Sequence, residues 1–146
     1  MRLTPKDRLF IGVALAVIAI DQLTKYFISL LPSGSGIPLL GKFLMLTHTQ
    51  NTGAAFGMLQ GRNMALIAVT LAILAAMAWY YKNISKGHII YAAMICGGAI
   101  GNLIDRVRLG YVTDFIGFSF WPTFNVADIA VTIGALMLAY FIFKEK

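Results

Sequence analysis

The sequence predicts an all-α membrane protein with four transmembrane helices and short strands on its outer surface, and three observations carry that reading. The 146-residue chain is 59% hydrophobic and 12% charged, about half the charged share of an ordinary soluble domain. Apolar runs long enough to cross a hydrocarbon core recur four times. The basic residues behind the net charge of +6 gather mainly at the ends of those runs, as topology signals do. Nucleic-acid binding is therefore not expected, and residues 1–146 read as one integral membrane domain.

The first run extends from about Leu9 to Leu31 after Arg2, Lys6 and Arg8. It begins like a signal peptide but continues past Asp21 and Lys25 with no small-residue cleavage site, so it reads as a retained helix. The second, about Met64 to Tyr81, contains no charge and finishes in Trp79, Tyr80 and Tyr81, an interfacial belt. The third, about Ile89 to Ile104, carries Gly97 and Gly101 at the spacing that lets helices approach closely. Cys96 lies in this run and, as the only cysteine, forms no intrachain disulfide. The fourth runs from about Val126 to Phe143 and ends in Lys144 and Lys146, with Asp128 near its start.

Four spans put both termini on one side, and Arg2, Lys6, Arg8, Lys82, Lys86, Lys144 and Lys146 fall there together. That side is expected to be the cytoplasm. The opposite side receives the longer connections, about Pro32 to Asn63 and Asp105 to Asn125. In the first, Leu39 to Asn51 mixes β-formers with Gly41 and threonines, which suggests short strands on the membrane surface. In the second, Phe115, Ile116, Phe118, Phe120 and Trp121 are too apolar for a free loop. They predict an interfacial loop or short helix.

Of only six acidic residues, Asp21, Asp114 and Asp128 lie within or beside spans, where an ionised group is costly and marks a functional candidate. If the second connection folds back, Asp114 and Asp128 meet. Two carboxylates at close range share a proton, so one can activate water while the other donates to a scissile carbonyl. Other readings of the same residues stand beside this one. Asn125 can be an N-cap with Asp128 in the first helical turn. Asp114 can be a turn residue or the partner of Arg106 or Arg108.

Asp21 and Lys25 are four apart on one helix face and can neutralise each other at depth, a structural role. Asn102 and Arg106 have the same spacing and can present donors to a peptide backbone, or simply end a solvated helix beside an Asp105 salt bridge. Asn51 can be held over a substrate by the following Thr52 to Gly57, whose glycines permit close backbone approach. The same stretch can equally be a plain surface turn. His48 and His88 are expected on opposite sides and no HExxH occurs, so neither a zinc centre nor any other cofactor is expected. Ser33 to Gly36 lacks a membrane-embedded histidine to act as base.

Five blocks resemble, in order, the motifs of the lipoprotein signal peptidase (signal peptidase II) family. They are Asp21 to Lys25, Asn51 to Gly57, Gly101 to Arg106, Val112 to Phe115 and Trp121 to Asp128. Together they are distributed along most of the chain, from Asp21 to Asp128. Ile129 departs from the pattern, standing where many members carry a small polar residue. The resemblance implies that Asp114 and Asp128 are the catalytic pair, that Asn51, Asn102, Arg106 and Asn125 line the site, and that Asp21 and Lys25 support it. It implies a small β-cradle on the membrane for the first connection, and an enzyme of the bacterial inner membrane facing the periplasm or outer surface. The implied substrate is a diacylglyceryl-modified prolipoprotein, cut just before its lipidated cysteine, with globomycin-like cyclic peptides as inhibitors. Membrane lipid is the other expected partner, and a monomer is the expected state. Two different functions compete with this expectation, a small proton-coupled transporter gated by Asp21 and Lys25, and a non-catalytic membrane assembly subunit.

Overall fold

The computed structural model of the chain describes residues 2–53 and 60–144. Ala54 to Gly57 of the block beginning at Asn51, and Lys146, lie outside the described residues. Four long helices carry the fold: α1 (Pro5–Ser29), α2 (Asn63–Tyr80), α3 (Ile89–Leu109) and α4 (Val126–Lys144). All four are long and apolar enough to cross a membrane. Between them lie strands β1 (Gly36–Leu40), β2 (Leu44–Asn51), β3 (Val112–Phe118) and β4 (Trp121–Phe124).

The helices start and stop for local reasons. Thr4 caps α1 by accepting from the Asp7 backbone N–H at 3.2 Å, while Asp7 Oδ2 accepts from the Thr4 backbone N–H at 2.8 Å. With Pro5 at the first helical position, this capping box starts the helix four residues before its apolar run. Helix α3 runs on past Ile104 to Leu109, because Asp105 is buried in ion pairing instead of ending the helix in water. Gly110, at φ +82°, then closes it with a left-handed cap that a side chain would disfavour.

Helix α3 is the central element, and its small residues decide what touches it. A Cβ at Gly97 would sit 2.8 Å from the Ala14 carbonyl oxygen of α1, and one at Gly98 would meet the Ala127 carbonyl of α4. From the other side, a Cβ at Gly134 of α4 would lie 2.7 Å from the Tyr91 carbonyl oxygen of α3. Backbone meets backbone on both flanks, the arrangement that small residues permit where burial in lipid supplies no driving force. Helix α2 stands apart, with Leu66 its one buried residue. At the end of the molecule that carries the N-terminus, the Tyr81 hydroxyl donates to Asp7 Oδ1 at 2.6 Å and Lys6 Nζ donates to the Tyr81 carbonyl at 3.0 Å. These contacts latch the start of α1 to the end of α2.

The opposite end bears a four-stranded antiparallel sheet in the order β1-β2-β3-β4. The expected strands of the first connection are β1 and β2. The second connection, expected as an interfacial loop or short helix, forms β3 and β4 instead. Its β-branched and aromatic residues pair Ile116 with Leu46 and Asp114 with Thr49, so β2 satisfies backbone groups that an apolar loop would leave unpaired. The apolar character was real, and it gathers at the hairpin tips. Phe43 packs on Phe118 at 5.6 Å between ring centroids, Phe118 stacks on Phe124 at 6.1 Å, and the Ser119 N–H donates to the Phe43 carbonyl at 3.1 Å.

Candidate active site

The site forms where β3, the end of α3 and the start of α4 converge. Asn125 is the N-cap residue of α4: its Oδ1 accepts from the Asp128 backbone N–H at 2.9 Å, and its own N–H donates to Asp128 Oδ2 at 3.3 Å. This reciprocal cap orients the first turn of α4 and fixes the Asp128 carboxylate over it. Asn125 is fully buried, and its amide nitrogen donates to Asp114 Oδ1 at 2.7 Å and to Asn102 Oδ1 at 3.1 Å. Asn102 in turn donates to Asp128 Oδ1 at 2.8 Å. A continuous chain of amides thus joins the two carboxylates, each held by its own donor.

Asn51, at the end of β2, donates to the second oxygen of Asp114 at 2.8 Å. Its own Oδ1 accepts the Gly53 backbone N–H at 2.9 Å, and Arg106 Nη2 donates to the Gly53 carbonyl at 3.3 Å. Asn51, Asn102, Arg106, Asp114 and Asp128 line one cavity of about 520 Å³. Its other walls are Trp121 to Phe124 of β4 and, on α4, Ile129, Thr132 and Ile133. The cavity is polar at the carboxylates and apolar along α4. Burial pushes the Asp114 carboxyl up to about 7; hydrogen bonds from Asn51 and Asn125 oppose the rise, and the Asp128 charge adds to it.

Asp21 and Lys25 form the anticipated i, i+4 pair at 2.8 Å, both buried. Lys25 also lies 3.1 Å from Asp105 and donates to Asn102 Oδ1 at 2.9 Å. Asp105 is therefore no part of a solvated helix end; it is 4% exposed and engaged within the bundle. The sequence suggested only a solvated helix-end salt bridge for Asp105 and no role for Gln22; Asp105 does pair with a cation, but with buried Lys25. The signal for Asp105 was its depth: a carboxylate near the end of a span needs a buried cation. The two histidines lie apart as expected, His48 on β2 with Nδ1 donating to the Leu31 carbonyl at 2.7 Å, and His88 at the start of α3. Among the described residues no cluster of three His, Cys, Asp or Glu side chains is arranged to hold a metal ion.

The family model for signal peptidase (SPase) II matches residues 13–144. The chain belongs to the signal peptidase II family. A lipoprotein signal peptidase of Halothermothrix orenii is 39% identical, with 92% of this chain and 94% of that protein aligned. One from Caldanaerobacter subterraneus subsp. tengcongensis is 46% identical over 88% of this chain and 92% of its own length. A solved bacterial membrane enzyme superposes with a TM-score of 0.88 at 33% identity, covering 93% of this chain and 88% of the other. Membership makes the chain a multi-pass membrane protease. The match encloses every polar residue that lines the cavity.

Proposed function

We propose that this signal peptidase II family member is an aspartic-type endopeptidase that removes the signal peptide from diacylglyceryl-modified bacterial prolipoproteins, cutting just before the lipidated cysteine. The observation that carries the reading is the amide chain through Asn125 and Asn102 that holds Asp114 and Asp128 in one cavity. In the reaction the pair carries one proton. The ionised carboxylate takes a proton from water as that water attacks the scissile carbonyl, and the protonated partner donates to the carbonyl oxygen. Collapse of the resulting diol expels the amine, which recovers a proton from the pair. Asn51, Asn125 and Asn102 keep both carboxylates in place, and Arg106 holds the Gly53 backbone beside the cavity.

A substrate with an apolar signal helix and two acyl chains stays in the bilayer, so a site at the sheet end of the bundle meets the scissile bond at the interface. The apolar wall along α4 suits its lipid-soluble parts. The enzyme belongs in this reading to the bacterial inner membrane, with both termini cytoplasmic and the site at the outer face. It works as a monomer of one domain, with no cofactor, and globomycin-like cyclic peptides compete for its cavity. No observation favours the proton-coupled transporter: the family match points to a peptidase and the buried carboxylates gather toward the sheet end.

Purified enzyme is given a diacylglyceryl-modified prolipoprotein, and cleavage is followed by gel shift. Asp114→Asn and Asp128→Asn are each expected to fold and to lose at least ~1,000-fold in rate, since each removes one half of the acid–base pair. Normal cleavage by either folded variant would sink the mechanism.

A further inference from the structure

Asp21 on α1 and Asp105 on α3 make the same kind of contact with two different elements. Asp105 Oδ2 accepts the backbone N–H of Thr113 at 3.0 Å, the residue immediately before Asp114. Asp21 Oδ1 accepts the backbone N–H of Ala127 at 2.9 Å, the residue immediately before Asp128. Lys25 lies between the two carboxylates, 2.8 Å from Asp21 and 3.1 Å from Asp105. Gln22 closes the ring, with Nε2 donating to Asp105 Oδ1 at 3.1 Å and to Asp21 Oδ2 at 3.2 Å. The bare backbone of Gly101 makes room for this ring, since a Cβ there would stand 2.6 Å from Asp21 Oδ2.

One ammonium cannot neutralise two buried carboxylates. The remaining negative charge is met by the two backbone N–H groups, one of them in the first turn of α4, where the helix dipole favours an anion. The charge excess therefore makes both backbone contacts obligatory: if β3 or α4 shifts, a buried carboxylate loses a donor. We infer that Asp21, Lys25 and Asp105 form a positioning clamp that sets the separation of Asp114 and Asp128 from behind. The clamp rests on the reading of Asp114 and Asp128 as the reacting pair. None of the three lines the cavity, and their one hydrogen bond to its lining runs from Lys25 to Asn102, so they hold the two backbones from behind and do not touch substrate.

Cleavage of a diacylglyceryl-modified prolipoprotein by purified Asp105→Ala and Asp105→Asn variants tests the clamp, with Asp114→Asn and Asp128→Asn beside them. A misplacement of about 1 Å in a reacting pair costs up to ~100-fold in rate. Asp105→Ala is therefore expected to lower kcat by ~10- to 100-fold with KM within about twofold of wild type. Asp105→Asn retains an oxygen for the Thr113 N–H and is expected to recover most of the loss. Where Asp105→Ala fails to fold, Asp105→Glu replaces it: the charge is kept, the acceptor is displaced, and kcat is again expected to fall with KM unchanged. Wild-type kcat in folded Asp105→Ala or, in its place, Asp105→Glu overturns the clamp, as does an Asp105→Asn loss equal to that of Asp105→Ala. Normal cleavage by Asp114→Asn or Asp128→Asn overturns the underlying reading instead, whatever the Asp105 variants do.

Discussion

Asp114 holds both features of an acid–base residue in one side chain: it is 1% exposed, yet each oxygen accepts from an asparagine amide. Burial dominates and pushes its carboxyl up to about 7 from an ordinary value of 3.8. An acid raised in the folded state binds more protons folded than unfolded, so its contribution to stability is fully present below the unfolded value. That contribution is lost as pH climbs from about 4 to about 7, by on the order of a few kcal/mol. Chemical unfolding of wild type between pH 5 and 7 is expected to show this decline, and Asp114→Asn to flatten it; an unchanged slope in the variant would assign the titration elsewhere. Activity should fall above about pH 7, as the pair loses its shared proton. At Asp128 the two sequence readings prove compatible. The residue closes a capping box with Asn125 and also faces the cavity, so the helix cap is the device that aims it.

At the scale of the elements, α3 decides the geometry because both α1 and α4 pack on it through glycines. Gly98→Ala would drive a methyl group into the Ala127 carbonyl, and Ala127 precedes Asp128. Overpacking of that kind typically costs roughly 1–3 kcal/mol, and here it also displaces α4, so lower thermal stability and lower activity are expected together. Gly12 in α1 is the contrasting case, since a Cβ there meets nothing within 4 Å. Gly12→Ala is expected to gain about 0.5–1 kcal/mol from helix propensity alone and to cleave like wild type. Melting curves in detergent separate the two. The sequence spacing marked Gly97 and Gly101 as close-packing positions, yet they serve different partners: Gly97 accommodates the α1 backbone and Gly101 accommodates the Asp21 carboxylate. Periodicity reveals that a helix face is small; it does not name what arrives there.

Across the whole molecule, polarity is divided between two ends. The latch of Asp7, Lys6 and Tyr81 ties α1 to α2 at one end, while the sheet and the cavity occupy the other. Arg8, Lys82, Lys86 and Lys144 fall with the latch, which predicts that end to be cytoplasmic. A reporter enzyme that is active only outside the cytoplasm should be silent when fused after Lys146 and active when inserted beside Lys42 between β1 and β2. The reverse pattern would place the cavity on the cytoplasmic side, away from exported substrate. Exposed Phe43, Phe120 and Trp121 at the hairpin tips suit the interfacial depth that this orientation gives the sheet.

The amino-acid sequence by itself determined the spans, because a lipid-crossing helix is a local property of some 20 consecutive residues. It also determined the candidate pair, since a carboxylate in or beside an apolar run stands out without any knowledge of its neighbours. Strand β3 was hidden because its β-character depends on pairing with β2 from the distant first connection, and β4 because it pairs only with β3, whereas local apolarity suits a loop, helix or strand equally. Asp105 was hidden for a related reason: its partners Lys25, Gln22 and the Thr113 backbone come from three separate elements. Tertiary structure alone decided that one buried lysine would stand behind both aspartates, because only packing of α1 against α3 brings its two carboxylates within reach.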